Sequence, residues 1–326
     1  MPNLFVLLLL GAAVIAQTAA PEIPPSDAVR IREFDRLAAQ LQDRVWPGWG
    51  GASAPLLLIT RDAEFLTHHP SPPKEFLSIG GDLYARPRQF PTGLLATFPA
   101  FGPPSVIVIG EPENTEAKTS TPWLFTVMHE HFHQLQDGRP GYYQAVKGLG
   151  LAHGDNTGMW MLNYGFPYDN PELGKSFGHL RDLLLTALNE HERRKFKAFT
   201  RQYIVERKEF FRHLSPDDRK YLSFQLWKEG IARYVQIKSA EAAEHYQPSP
   251  EYAALPDYQS FETYAREARS DTLSELKKAD LATWKRTVVY SFGASEGLLL
   301  DRLNPKWKHG YFRKLFTLDP YFENQP

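Results

Sequence analysis

The chain contains no cysteine. That excludes a disulfide framework and a lipid anchor on a cysteine. At 326 residues it can rely on a hydrophobic core instead. It also lacks an excess of charge of either sign: 37 Lys and Arg against 38 Asp and Glu leave a net charge of −1. No global field therefore favours nucleic acid or an anionic membrane. The most basic stretch, "HERRKFKAFTRQYIVERKEFFR" (191–212), interleaves Glu192, Glu206 and Glu209 with Phe196, Phe199, Tyr203 and Phe210 at helical spacing. It reads as the solvated face of a helix.

Long apolar runs are missing too. "LFVLLLLGAAVIA" (4–16) has thirteen residues, too few for a comfortable membrane span of about 20. Small residues follow in "AQTAAPEIPPSD", with cleavage expected after Ala16, Ala19 or Ala20. Residues 1–20 thus read as a secretory signal peptide, although "MPN" carries no Lys or Arg. The expectation is an exported protein, periplasmic or extracellular, with no membrane span after cleavage.

What is present is an ordinary globular balance, 42% hydrophobic and 23% charged, without repeats or low-complexity tracts. "SDAVRIREFDRLAAQLQDRVW" (26–46) has helical periodicity and stops at "PGWGG". Between 55 and 110, "PLLLIT", "EFLSIG", "LLATF" and "SVIVIG" are short apolar runs separated by Pro and Gly, the pattern of a small sheet. From 121 onward 3.6-residue periodicity dominates, broken near 138–141, 153–171, 214–216, 247–256 and 303–305. The predicted class is α+β: an N-terminal helix and small sheet over 21–115, then a helical region over 116–326, the two forming one unit. "HGDNTGMWMLNYGFPYDNPE" (153–172) fits a cleft wall or lid, and equally an ordinary long connection.

The segment "TSTPWLFTVMHEHFHQLQDGRP" (119–140) is punctuated as one helix. Thr121 suits the N-cap, Pro122 the first helical position, and Gly138 a left-handed C-terminus before Pro140. Its apolar residues leave little polar surface, so it is expected to be buried, and buried imidazoles need partners. His129 and His133 are four apart, which puts their Cβ atoms about 5–6 Å apart on one face. Both can reach one zinc ion at about 2.0–2.1 Å. Glu130 lies one step round the helix, placed to address water rather than metal. This is the H-E-x-x-H arrangement of metal-assisted hydrolysis, with glutamate as general base. His131 points elsewhere and is expected to be structural or to support a ligand from behind. Asp137, four residues beyond His133, is placed to orient an imidazole from behind or simply to end the helix. The longer HExxHxxGxxH form fails, because Gln136 and Arg139 stand where Gly and His are required.

A catalytic zinc needs a third protein ligand. "FQLWKEGIARYVQ" (224–236) follows a strong helix start at Ser215-Pro216-Asp217-Asp218 and carries Glu229 beside an apolar stripe and Gly230. Glu229 is the expected third ligand; its alternative is a surface pair with Arg233.

H-E-x-x-H followed by a helix bearing E-G-x-A resembles the gluzincin metallopeptidases, which include thermolysin and the aminopeptidase N group. The resemblance runs over about 110–300 through short motifs. The separation of Glu229 from His133 exceeds that of compact members, so the helices between are expected as an insertion. "VVYSFGASEGLLLD" (288–301) is similar to the Y-x-x-G segment of aminopeptidase N-like enzymes, which implies Tyr290, with Gly293, as the oxyanion-stabilising tyrosine. "GEPEN" (110–114) is similar to their G-x-M-E-N motif, with Pro112 for Met, and implies Glu113 as the group that binds a substrate amine. The implied fold is zincin-like and the implied cofactor is one Zn²⁺ per chain. The implied activity is hydrolysis of peptide or protein substrates, endopeptidase or aminopeptidase according to Glu113. "SVIVI" (105–109) is the candidate edge strand for pairing with substrate. Tyr234, Tyr164 and Tyr168 are the alternatives to Tyr290. The rival readings are an inactive zinc-binding scaffold that docks a partner and a zinc-free helical protein whose core histidines are satisfied.

Overall fold

The computed structural model describes residues 21–323. The expected signal peptide, 1–20, lies outside the described residues. Among the described residues no helix is long and apolar enough to cross a membrane.

Helix α1 (Pro25–Val45) buries Ile31, Phe34, Leu37, Ala38 and Leu41 on one face, the i, i+3, i+4 pattern of an amphipathic helix. Six strands follow: β1 (Leu56–Ile59), β2 (Ala63–Thr67), β3 (Leu77–Gly80), β4 (Leu83–Pro87), β5 (Leu95–Phe98) and β6 (Val106–Gly110). They form one sheet in the order β3-β4-β2-β1-β6-β5. β1 and β6 are parallel and every other pairing is antiparallel.

β6 is therefore an interior strand, not the edge strand that its sequence suggested. Ile107 and Ile109 pack into the main core, while Val106 and Val108 pack into a second cluster on the opposite face. A strand apolar on both faces needs cover on both. The edge beside the helical region is β5, whose residues are all half-buried.

β1, β3, β5 and β6 match the apolar runs; β2 and β4 do not. Glu64 on β2 and Arg86 on β4 interrupt the apolar pattern, yet both are buried and paired at 2.7 Å. Glu64 also accepts from the backbone of Gln89 and Phe90. A buried ion pair across neighbouring strands looks, in sequence, like two solvent-facing loops.

Helix α2 (Ser120–Asp137) carries the histidines and is buried over nearly its whole length. It begins two residues earlier than predicted, with Thr119 as N-cap and Pro122 third in the first turn. Proline is tolerated there because first-turn N–H groups have no helical partner. Thr121 does not cap; its hydroxyl donates to Gln259 O at 2.6 Å. Gly138 is right-handed, and the left-handed glycine is Gly141, with φ of 78°.

The remaining long helices are α3 (Pro171–Asn189), α4 (Arg193–His213), α5 (Pro216–Gln225), α6 (Ile231–Ala242), α7 (Phe261–Lys278) and α8 (Val288–Leu303). Ser215 caps α5, its hydroxyl accepting from Asp218 N at 3.2 Å. Between α5 and α6 the chain forms a π turn, Leu226–Gly230, in which Ile231 N donates to Leu226 O five residues back. One main core joins the sheet face bearing Leu56, Leu58 and Ile107 to these helices.

α8 crosses the π turn at van der Waals distance between backbones. A Cβ on Gly230 would stand 2.6 Å from Gly293 Cα, and a Cβ on Gly293 would stand 2.6 Å from Gly230 Cα and 3.2 Å from Leu226 O. Gly293→Ala must push the two segments apart and is expected to cost about 1–3 kcal/mol. Urea unfolding reads the loss; a wild-type midpoint would mean that the crossing is looser than described.

Candidate metal centre

Because α2 has 3.6 residues per turn, His129 and His133 project side by side, and their Nε2 atoms lie 3.2 Å apart. Glu229 reaches them from the π turn: its Oε2 is 3.3 Å from His133 Nε2 and 3.7 Å from His129 Nε2. Arg233, the alternative partner for Glu229, instead pairs with Glu275 at 3.4 Å. The three donor atoms form a triangle with sides of 3.2, 3.3 and 3.7 Å, near the ~3.3 Å that tetrahedral bonds of about 2.0–2.1 Å require. His129, Glu130 and His133 form a buried group that could hold a metal ion.

Two carboxylates thus adjoin the imidazoles, and their partners distinguish them. Glu130 Oε2 accepts from the Thr97 hydroxyl on β5 at 2.7 Å. The same hydroxyl lies 3.1 Å from Glu130 O. Glu229 has only the two histidines as ion-pair partners among the described residues. Glu229 therefore completes the donor triangle, and Glu130 stands beside it on the side of the sheet edge.

The tautomer of His133 follows from Gln136. Gln136 Nε2 faces the carbonyls of Trp227 and Lys228 at 3.1 and 3.2 Å, groups that can only accept. The amide orientation is thereby set, and its Oε1, 2.6 Å from His133 Nδ1, accepts that proton. His133 Nε2 is left with its lone pair toward Glu229 and His129, the form a metal requires. Gln136 was read in the sequence only as the residue that breaks a longer motif. Its position three residues after His133, on the same helical face, was the available signal.

Asp137 does not orient an imidazole. It forms a buried ion pair with Lys228 of the π turn and accepts from Ser105 Oγ at 3.0 Å, which ties the C-terminus of α2 to the segment bearing Glu229. His131 turns away from the centre: Nδ1 lies 2.9 Å from Gln134 Oε1 and the ring stacks on Trp49 at 5.2 Å between centroids.

Burial alone would raise the Glu229 carboxyl, but the two imidazoles outweigh it and hold it well below the usual range. Burial also opposes charge on His133, and the ionised Glu229 outweighs that, so its pKa rises. His129 is lowered by burial and by the His133 charge beside it.

Tyr290 is on α8, as predicted, with its ring 6.2 Å from that of His129. Its phenol oxygen accepts from Arg286 Nη2 at 3.2 Å, which leaves its own proton to donate. Burial and the nearby Glu229 raise its pKa, so it is neutral. The alternative tyrosines are engaged elsewhere: Tyr234 with Asp301 at 2.8 Å, Tyr164 with Asp218 at 3.1 Å, Tyr168 with Tyr221 at 3.5 Å.

Glu113 is not brought to this centre. It is exposed on a 3-10 turn (Pro112–Asn114), and its charge acts on Asp27 and Glu111. That turn follows Gly110, whose carbonyl accepts from Trp123 Nε1 at 2.8 Å. Trp123 precedes His129 by six residues, about 9 Å of helix axis. The segment 153–172 packs on α5: Trp160 lies against Phe224, Tyr164 stacks on Tyr221 at 4.4 Å, and Met161 O accepts from Gln225 Nε2 at 2.7 Å. It is a wall along α5.

His129→Ala, His133→Ala and Glu229→Ala should each sharply lower metal occupancy, read by elemental analysis after dialysis. Gln136→Leu frees the His133 tautomer and should weaken metal affinity about 10–100-fold with the fold retained; unchanged affinity would remove Gln136 from the site. His131 yields a pH prediction. Burial pushes its pKa down to about 4, below an unfolded value of ~6.5, so the unfolded chain binds more protons between those values. Stability is then complete above ~6.5 and falls toward pH 4, by about 3 kcal/mol at most. His131→Leu should be less stable at neutral pH but show a flatter decline over that window.

No protein-family model, no curated protein and no solved structure matches this chain.

Proposed function

We propose that the chain is an exported zinc-dependent peptidase of gluzincin type, with zincin-like architecture. The observation that carries this reading is the donor triangle of His129, His133 and Glu229 with a second carboxylate, Glu130, held beside it. Two imidazoles and one carboxylate are a ligand set of catalytic zinc sites, which keep a fourth position open. Glu229 is the most exposed of the three, at 18% of its side chain, so solvent and substrate would approach the centre past it.

Zinc, when bound, supplies Lewis acidity toward a carbonyl oxygen and acidifies water. Glu130 accepts the water proton as the new C–O bond forms, and Thr97 keeps its carboxylate turned toward the centre. Glu130 then delivers that proton to the leaving amine. Tyr290 donates a hydrogen bond to the carbonyl oxygen as it becomes negative. β5, which among the described residues pairs with β6 alone, offers its outer edge to an extended peptide. A partner-binding scaffold needs neither Glu130 nor its Thr97 contact.

Glu130→Gln should keep near-normal zinc, since the residue does not ligate, and lose nearly all hydrolysis of a peptide library. An active variant ends this reading. Tyr290→Phe keeps the ring packing and removes the donor, so kcat should fall about 10²–10³-fold with little change in KM. Near-full kcat would place the oxyanion donor elsewhere.

A further inference from the structure

Arg286 sits in the turn Lys285–Thr287 that leads into α8, one helical turn before Tyr290. It is half-buried, and its hydrogen bonds among the described residues go to neutral acceptors: Tyr290 Oη at 3.2 Å and Gln225 Oε1 at 3.4 Å. The guanidinium also lies over the Tyr290 ring, 5.4 Å from its centroid. Gln225 is the last residue before the π turn, and its Nε2 is held by Met161 O, which turns Oε1 toward Arg286. Arg286 is thus fixed from α5, from α8 and, through Gln225, from the 153–172 wall.

No carboxylate lies within ion-pairing distance of Arg286 among the described residues. The fully buried arginines contrast with it: Arg30 pairs with Asp27 at 2.5 Å, Arg86 with Glu64 at 2.7 Å and Arg207 with Glu296 at 2.5 Å. Burying a guanidinium without an acid is costly, and each of the fully buried arginines is given one. The carboxylate acting on Arg286 through space is Glu229. Glu229 would be taken up by a metal held at His129 and His133, so Arg286 has no carboxylate of its own. Tyr168 and Tyr221 lie in its field, both with phenol pKa raised by burial, so they are neutral donors rather than competing anions.

We propose that Arg286 recognises a carboxylate on the substrate next to the bond that is cut, so that the preferred substrates are peptides bearing an acidic group there. This rests on the peptidase reading for the location of the cut bond, while the binding itself can be read independently. A guanidinium fork suits a carboxylate bidentately, which a lysine ammonium does not. Two sources share this chemistry: the α-carboxylate of a peptide C-terminus and the side chain of Asp or Glu.

The test uses zinc-loaded Glu130→Gln protein, which binds without turnover, and calorimetric titration with matched peptides. One pair differs only in a free C-terminal carboxylate or its amide; a second, C-terminally amidated pair differs only in Glu or Gln at successive positions. The acid-bearing member of at least one pair should bind about tenfold more tightly or better, about 1.4 kcal/mol. Preference in the first pair identifies the C-terminus, and preference in the second identifies the side chain. Arg286→Gln in the same background should abolish the preference with zinc content unchanged, and Arg286→Lys should restore only part of it. Equal binding within both pairs overturns the proposal, as does a preference that survives Arg286→Gln. Acid preference without cleavage by the wild-type chain would support the carboxylate site and defeat the peptidase reading. Cleavage without acid preference would do the reverse, and no binding by any peptide would defeat both.

Discussion

Three imidazoles, two carboxylates and two amides are buried within nine consecutive residues of α2, His129 to Asp137. Each costs several kcal/mol in a dry interior unless it finds a partner. The partners come from nearly every part of the molecule. Thr97 on the sheet edge serves Glu130, the carbonyls of Pro55 and Ser105 serve Gln134, and the π turn serves Gln136, Asp137, His129 and His133. Apolar packing supplies the bulk of the stability, but it is tolerant of small shifts. The polar partners are not, and they set the register of the sheet edge and the π turn against α2.

A second constraint follows from the first. For Glu229 to reach the histidines, its backbone must come close to α2 while α8 packs on its other side. The π turn and the Gly230–Gly293 crossing together allow this. The five-residue hydrogen bond in the turn leaves the Trp227 carbonyl available, and both Gln136 and Tyr311 donate to it. The glycine crossing brings α8 near enough for Tyr290 to stand beside His129. A wider π-type turn inside a longer helical stretch is costly on its own; here its freed carbonyl is satisfied from two directions.

Much of the α+β layout was legible because its signals are local. α1, α2 and the start of α5 follow from periodicity, and β1, β3, β5 and β6 follow from apolar runs between turn residues. β2 and β4 were not legible, since Glu64 and Arg86 neutralise each other only once the strands are paired. The start of α2 was misplaced because Thr121 spends its hydroxyl on Gln259, far away in sequence. Asp137 was misassigned for the same reason: its partner, Lys228, comes from another element.

The juxtaposition of His129, Glu130 and His133 was determined by the sequence itself, because the pitch of one helix fixes the direction of residues four apart. Glu229 and Tyr290 could be named from short motifs, but no local rule places them within reach of those histidines. Only the tertiary structure decided that, through a backbone crossing that two glycines permit. It likewise decided that β5 and not β6 is the edge strand, that Glu113 stands apart at the other end of α2, and that Gln136 sets the tautomer of His133. Each of these depends on which distant groups meet in the core, and burial, not sequence spacing, selects them.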